Sequence, residues 1–90
     1  MAVYVDTLVN YGHQDWRRGE WCHMIADTLE ELHDMAERIG LRREWFQNKP
    51  DHPHYDLRPL SRELAVKYGA IELSSLELVG KLKEIRENGA

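Results

Sequence analysis

Residues 20–40, EWCHMIADTLEELHDMAERIG, contain the two clearest secondary-structure signals of the chain, a strand followed by a helix. The first seven residues alternate in character, as side chains on the two faces of a strand do. One face is uniformly apolar and is predicted to point into the core: Cys22, Met24 and Ala26. His23 lies on the opposite face beside Trp21, and that face is either open to solvent or covered by a loop.

The helix is predicted to begin at Asp27 as its N-cap, with Glu30 in the capping-box position. Gly40 supplies the C-terminal stop. Apolar residues recur between them at helical spacing: Leu29, Leu32, Met35, Ala36 and Ile39. His33 falls at the edge of this stripe and is expected to make one satisfied hydrogen bond rather than to bind a ligand. The pattern predicts an amphipathic helix packed on a sheet.

The segments on either side extend this unit. Residues 2–6, AVYVD, are β-branched and aromatic and predict the first strand, with Asp6 near its end as a turn cap. The polar segment 10–19 predicts a loop, on which Trp16 is expected to cover the edge of the core. Residues 41–47, LRREWFQ, predict a third strand, so that the helix and its flanking strands would form a βαβ-like unit.

The C-terminal part of the chain predicts two helices separated by a short strand. Ser61 is expected to cap a helix that ends near Tyr68, and residues 70–73, AIEL, follow as the strand. Ser74 and Glu77 form a second capping box that opens the last helix. The predicted apolar side of that helix consists of Leu76, Val79, Leu82 and Ile85.

Length and composition are those of one small globular domain. The 90 residues are 42% hydrophobic and 31% charged, and the predicted elements follow the order ββαβαβα. We therefore predict one α/β domain over residues 1–90, with a roughly four-stranded, mixed and partly parallel sheet, about three helices and a frayed end at 88–90.

Charge and hydropathy argue against several classes of partner. The formal net charge of −4 argues against binding to duplex nucleic acid, which relies on a basic surface. No apolar run approaches the roughly 20 residues that cross a bilayer, and the N-terminus lacks the positive charge of a signal peptide. No membrane association is expected. Cys22 is the single cysteine, which excludes an internal disulfide, and a cytoplasmic protein is the simplest interpretation.

Residues 45–58, WFQNKPDHPHYDLR, concentrate side chains that bind ligands or catalyse reactions. Hydrophobic periodicity ends after Phe46, so residues 48–59 are predicted to be a long loop that its prolines make relatively stiff. Polar and aromatic groups on a loop held between regular elements are typical of a binding or catalytic site. This loop is the candidate functional segment.

Several runs together resemble a known family. The opening strand AVYVD, the run WCHMIADT at residues 21–28 and the run HPHYDL at residues 52–57 resemble a DUF4031-like family of short phage and bacterial proteins catalogued as a domain of unknown function. The resemblance covers about residues 2–74. It implies a small soluble single-domain protein, often encoded by a phage, and it implies no activity, cofactor or catalytic residue.

A first hypothesis is recognition of a small anionic or nucleotide-like ligand, with hydrolysis as a further step. A histidine beside an aspartate suits general-base catalysis. The candidate catalytic residues are His54, Asp56 and His23. Arginine binds phosphate or carboxylate, aromatic rings stack on a base, and an amide hydrogen-bonds the edge of the base. The candidate ligand-binding residues are Arg43, Trp45, Gln47, Tyr55, Arg58 and Arg62.

Two other hypotheses stay open. A divalent metal such as zinc, manganese or nickel is a candidate cofactor, bound by His52, His54 and Asp56 with His23 or Asp6 as a further ligand. The third hypothesis is a protein-binding module without chemistry, for example a phage protein that binds a host protein through exposed aromatic side chains.

Overall fold

A computed structural model describes residues 2–10 and 19–88 of the chain. They form five short strands and three α-helices in one compact domain. The strands are β1 (Val3–Val5), β2 (Val9–Asn10), β3 (Glu20–Ala26), β4 (Tyr55–Leu57) and β5 (Ile71–Glu72). The helices are α1 (Leu29–Arg38), α2 (Pro59–Lys67) and α3 (Ser75–Asn88). The predicted α/β class with a mixed sheet and three helices is confirmed, with one strand more than expected; Trp16 lies outside the described residues.

The sheet is organised around β3, which is also its longest strand. Strands β1 and β4 pair antiparallel with it, and Met24 lies opposite both Val5 of β1 and Tyr55 of β4. The two partners therefore occupy opposite edges of β3. Strand β5 pairs parallel with β1, which makes the sheet mixed. The remaining strand, β2, pairs antiparallel with the first residues of β3.

The chain from β1 to β2 runs along one edge of β3 with a one-residue offset. Val3 lies opposite Ala26 and Val9 lies opposite Trp21, so six residues of advance on one strand face five on the other. An extra residue of this kind interrupts the hydrogen-bond ladder and redirects a side chain. Asp6 lies within the offset.

Helices cover the two faces of the sheet unequally. The predicted inward face of β3 is confirmed, because Cys22, Met24 and Ala26 are buried in the main core. Helices α1 and α2 close that core. On the opposite face, α3 packs over Tyr4 and Ile25. The side chains of α3 that do so are Leu78, Leu82 and Ile85. The described residues contain no helix with the length and apolarity to cross a membrane.

Helix α1 begins one residue later than predicted. Thr28 is its N-cap, and the Thr28 hydroxyl accepts a hydrogen bond from the backbone N–H of Glu31 at 3.2 Å. Asp27, the predicted cap, instead accepts hydrogen bonds from the backbone N–H of Ala2 at 2.8 Å and from the Tyr4 hydroxyl at 3.0 Å. The aspartate therefore joins β1 to the end of β3 and is not available as a cap.

The prediction of a strand at residues 41–47 was wrong. Arg43–Trp45 forms a single 3₁₀ turn, and Gln47 pairs with His54 only as an isolated bridge. A βαβ-like unit is therefore absent from this part of the chain, because α1 is followed by β4, which runs antiparallel to β3. The apolar character of residues 41–47 reflects packing under α1, where Leu41 and Phe46 contact the main core.

The segment 48–59 is a loop only in part. Strand β4 lies inside it, with the alternating burial that a strand requires. Helix α2 then starts at Pro59 rather than at Ser61. Proline suits the first helical position, because a backbone N–H there would have no partner within the helix. The capping box of Ser74 and Glu77 at the start of α3 is confirmed. Three residues predicted for apolar stripes are exposed instead: Leu29, Leu76 and Val79.

Candidate functional site

The pairing of β3 with β4 brings the chemistry-bearing side chains onto one face of the sheet. His23 lies directly opposite Asp56. Residues two apart on a strand share a face, so His54 projects to the same side as Asp56. The rings of His23 and His54 meet edge to face with their centroids 5.3 Å apart. His23 therefore lies next to the candidate segment 45–58, although it is far from that segment along the chain.

Asp6 fixes His23 from two directions. Its Oδ1 accepts the backbone N–H of His23 at 2.6 Å, and its Oδ2 lies 3.0 Å from Nδ1 of the His23 ring. A carboxylate can only accept here, so Nδ1 carries the proton, and in the neutral ring the lone pair is on Nε2. Asp6 itself is buried. The predicted turn cap is therefore a cross-strand partner that sets the tautomer of His23.

His54 is held in the same tautomer by its own loop. Its Nδ1 lies 2.7 Å from the carbonyl oxygen of His52, and a carbonyl oxygen can only accept a hydrogen bond. Nε2 of the neutral ring then carries the lone pair and lies 3.4 Å from Oδ1 of Asp56. The two side chains are only 5% and 9% exposed. Two buried acceptors face each other across this gap unless a proton or a metal cation lies between them.

Asp56 is fixed at its second oxygen. The side-chain amide of Gln47 donates from Nε2 to Oδ2 of Asp56 at 2.5 Å. The isolated bridge between Gln47 and His54 positions this amide, since Gln47 and His54 exchange both backbone hydrogen bonds, at 2.9 and 3.1 Å. The three central side chains therefore each have a hydrogen-bonded support: Asp6 for His23, the His52 carbonyl for His54, and Gln47 for Asp56.

His23, His54 and Asp56 form a group that could hold a metal ion. One potential ligand atom from each lies within 4.8 Å of the others. Ligands about 2.1 Å from an ion lie roughly 3–3.5 Å apart, so modest side-chain rotations would bring all three onto one ion. Two imidazoles and one carboxylate, each with a hydrogen-bonded support, are typical of metal sites with open coordination positions. We call these three residues the His–His–Asp cluster.

Two clefts meet at the His–His–Asp cluster. The first, of about 510 Å³, lies between the cluster and α3 and has His23 and His54 at its base. The second, of about 680 Å³, extends from Asp56 and Gln47 in the other direction. Its other walls carry two tryptophan rings, one arginine and one glutamate: Trp21, Trp45, Arg58 and Glu44. We call this second cleft the tryptophan cleft.

Comparison with known families adds a classification. Residues 3–85 match the sequence model of a family described as "Protein of unknown function (DUF4031)". The chain belongs to the DUF4031 family. Searches of curated proteins and of solved structures gave no significant match. The matched residues of this DUF4031 chain include the whole His–His–Asp cluster and its supports.

The structure brings together part of the predicted site. The predicted catalytic residues His23, His54 and Asp56 lie in one cluster, and Gln47 supports it. Of the remaining predicted ligand-binding residues, Trp45 and Arg58 line the tryptophan cleft. His52, a predicted metal ligand, stacks on His54 with ring centroids 5.2 Å apart but is not in the donor group.

Three predicted ligand-binding residues lie elsewhere. Tyr55 points into the main core, where its hydroxyl meets Nδ1 of His33 at 2.9 Å and burial raises its pKa. Arg43 lies on the 3₁₀ turn. Its positive charge lowers the pKa of Tyr55 and so opposes the larger effect of burial. Arg62 donates from Nε to the backbone carbonyl of Asp6 at 2.8 Å and also pairs with Glu72 at 3.0 Å. Arg62 therefore stabilises the backbone at Asp6, within the one-residue offset between β1 and β2.

Two residues of the candidate site, Asp6 and Trp21, were not among the main site residues predicted from the sequence. Asp6 follows a buried strand directly, which is a common place for a site carboxylate, but its partner is 17 residues away. Trp21 lies two residues before His23 on the same face, and the guanidinium carbon of Arg58 sits 4.1 Å from the centre of its ring. The alternation of side chains along β3 places Trp21 and His23 on one face of the sheet. Arg58 reaches the same face only because β4, which precedes it, pairs with β3.

Proposed function

We propose that this protein binds a divalent transition-metal ion through His23, His54 and Asp56 and uses it to bind and hydrolyse a small anionic ligand. The single observation that carries the proposal is the facing of two buried acceptors, His54 Nε2 and Asp56 Oδ1, 3.4 Å apart beside His23. A cation shared among them removes that unfavourable contact.

The supports of the cluster favour a metal ion over a shared proton. Metal-binding histidines commonly donate their other ring nitrogen to a carboxylate or a backbone carbonyl, which orients the ring and fixes its tautomer. His23 and His54 have one such acceptor each, Asp6 and the carbonyl of His52. A proton shared between His54 and Asp56 would account for the hydrogen bond from His54 to the His52 carbonyl. It would not account for the equivalent hydrogen bond from His23 to Asp6.

The coordination and the charge balance suit hydrolysis. Three protein ligands leave positions on the ion for a water molecule and for the substrate. The ion lowers the pKa of bound water towards 7, so hydroxide is supplied near neutral pH. For a phosphate or carboxylate ester, such a hydroxide would add to the electrophilic centre, and the leaving oxygen would take the proton that the water gave up, so one water would be consumed per ester bond cleaved. The ion also offsets the charges of Asp6 and Asp56, which would otherwise repel an anion.

The test is metal titration of chelator-treated protein with Zn²⁺, Mn²⁺ and Co²⁺, followed by calorimetry and thermal unfolding. We expect one ion per chain and a rise in Tm, because a ligand that binds only the folded state stabilises it. His23→Ala and His54→Ala should lose both effects. His33→Gln is the matched control, since His33 lies in the main-core layer and not in the cluster.

Hydrolysis is tested on the metal-loaded protein with a panel of phosphate and carboxylate esters. Turnover should disappear with chelator and return with the metal. Metal binding that survives His54→Ala would refute the assignment of the cluster. Absence of metal binding altogether would refute the proposal and favour the protein-binding alternative, for which the exposed Leu76 and Val79 on α3 are the first residues to substitute.

A further inference from the structure

We propose that the tryptophan cleft binds a mononucleotide, with the base against Trp45 and the phosphate between Arg58 and the metal ion of the His–His–Asp cluster. This inference rests on the proposed function, because it takes the metal site as the inner end of the cleft. It goes further by naming the substrate class as a nucleoside 5′-monophosphate and by assigning the residues that select it.

The size and position of the cleft suit such a ligand. Its volume of about 680 Å³ is within the usual range for small-molecule sites. Asp56 and Gln47 form its inner end, so a ligand in the cleft reaches the cluster directly. On the side of α3, the first cleft is lined by both apolar and cationic side chains, and it offers no aromatic ring other than histidine. Of the two clefts, only the tryptophan cleft therefore offers a nucleobase an indole ring on which to stack.

Trp45 provides the stacking surface. Trp45 is 53% exposed and lines the cleft next to the partly buried Phe46. The guanidinium of Arg42 lies 5.8 Å from the centre of its ring and limits the positions open to the indole. Base–aromatic stacking contributes substantially to nucleotide binding and tolerates any base. Glu44 on the same wall can accept a hydrogen bond from a base amino group.

Arg58 provides the anion contact. Its guanidinium carbon lies 4.1 Å from the centre of the Trp21 ring, which holds a flexible side chain at the wall of the cleft. Guanidinium binds phosphate through two parallel hydrogen bonds. Arg58 and Asp56 are two residues apart in the extended chain, roughly 6.6 Å, so one phosphate can contact both the arginine and an ion on Asp56.

The start of α2 adds to this positive environment. Arg58 is the N-cap of α2 and makes no side-chain capping hydrogen bond, and no acidic residue lies in the first turn. Ser61 of that turn lines the cleft. The N-terminus of a helix favours negative charge through its backbone N–H groups. Arg58 and the start of α2 therefore lie together at the wall of the cleft, and an ion on Asp56 would add a further positive charge for the same phosphate.

The proposal predicts that phosphate and base are both needed and that the metal must bind first. Calorimetry on the Zn²⁺-loaded protein should show adenosine monophosphate binding at least tenfold more tightly than adenosine or inorganic phosphate. Chelator should abolish this binding, because the Asp56 carboxylate of the cluster then faces the phosphate without an ion between them. Trp45→Leu should weaken adenosine monophosphate about tenfold while leaving zinc affinity unchanged. Arg58→Gln should weaken the monophosphate and leave adenosine unaffected. Tyr68→Leu, at an exposed aromatic remote from the cleft, is the control.

The outcomes separate the two proposals. Zinc binding without nucleotide binding overturns this inference and leaves the metal site intact. Nucleotide binding that Trp45→Leu does not change also overturns it, because the base then lies elsewhere. Absence of zinc binding overturns the proposed function and this inference together, because the phosphate is assigned to the metal ion. Equally tight binding of adenosine monophosphate with and without chelator would overturn the placement of the phosphate on that ion.

Discussion

The two faces of the strand pair β3 and β4 carry opposite chemistry, although their residues alternate along the same short stretches of chain. One face contributes Cys22, Met24 and Leu57, which are almost completely buried in the main core. The other contributes His23 and Asp56, which form the His–His–Asp cluster. Consecutive residues thus contribute to the core and to the candidate site in alternation, because each Cβ in a strand points to the face opposite to its neighbour's.

The two faces are stabilised in different ways. The core face needs only complementary shape, and its contacts are apolar. The site face needs a hydrogen-bond acceptor or donor for every buried polar atom, and these come from a bulge at Asp6, a loop carbonyl at His52 and an isolated bridge at Gln47. Irregular backbone therefore concentrates on one face. Substitutions on the two faces should have different consequences.

The largest contrast is expected between the reactivities of the neighbours Cys22 and His23. Burial raises the pKa of the Cys22 thiol to about 12 from 9.0, with Asp6 adding to the shift, so its thiolate fraction near neutral pH falls about a thousandfold. His23 is 35% exposed at its side chain. A thiol reagent should therefore label Cys22 only after the protein is unfolded, whereas diethyl pyrocarbonate should modify His23 in the native state. Rapid native labelling of Cys22, followed by mass spectrometry, would contradict the burial of this face.

A large loss of stability is expected from Leu57→Ala. Leu57 is fully buried, and removing a core leucine side chain costs about 2–5 kcal/mol through lost burial and the cavity left behind. Urea unfolding measures the change. Leu76→Ala is the matched control on a leucine that is 83% exposed, and it should stay within about 0.5 kcal/mol of the wild type. Equal effects of the two substitutions would show that the core face is wrongly assigned.

A smaller effect, on metal affinity, is expected from Asp6→Asn. The asparagine removes the charge that holds the His23 tautomer, and loss of such a support typically costs about 10–100-fold in metal affinity. Competition with a chromogenic chelator measures the affinity. Asp34→Asn on the exposed side of α1 is the control. A change below about threefold would remove Asp6 from the site.

Substitution of His52 distinguishes the metal ligands predicted from the sequence from those of the His–His–Asp cluster, which does not include His52. The set His52, His54 and Asp56 predicts that His52→Ala abolishes metal binding. The structure instead uses the backbone carbonyl of His52, which the substitution keeps. We therefore expect less than a tenfold loss of zinc affinity, measured in the same competition assay, against the complete loss expected for His54→Ala. Equal losses for the two variants would favour the sequence-based set.

The smallest effect is a pH dependence on the core side. Burial, with Arg43 adding to it, lowers the pKa of His33. The unfolded chain therefore takes up this proton first as the pH falls, and the stability that the neutral ring supplies above its ordinary pKa of 6.5 is lost below it. Urea midpoints at pH 7.5 and pH 5 should fall more for the wild type than for His33→Gln. Identical falls would mean that His33 titrates alike in both states.

Local patterns alone predicted a good part of the fold. The bounds of β3, its inward face and most of the α1 stripe follow from periodicities of two and 3.6 residues, and the Ser74–Glu77 box marks the start of α3. The segment around His54 was also recognised from its composition. The errors occur where local preference competes with distant partners: Asp27 bonds Ala2 rather than capping a helix, and β4 forms only because β3 lies beside it.

Residue types and the apolar faces of the regular elements can be read from the chain alone, because both depend on the residues themselves and on their near neighbours along the chain. Only the tertiary structure decided which of them meet. It set His23 opposite Asp56, placed Asp6 on the ring of His23, and turned Tyr55 into the core. These contacts depend on strand register, and a shift of one residue would exchange the two faces of each strand.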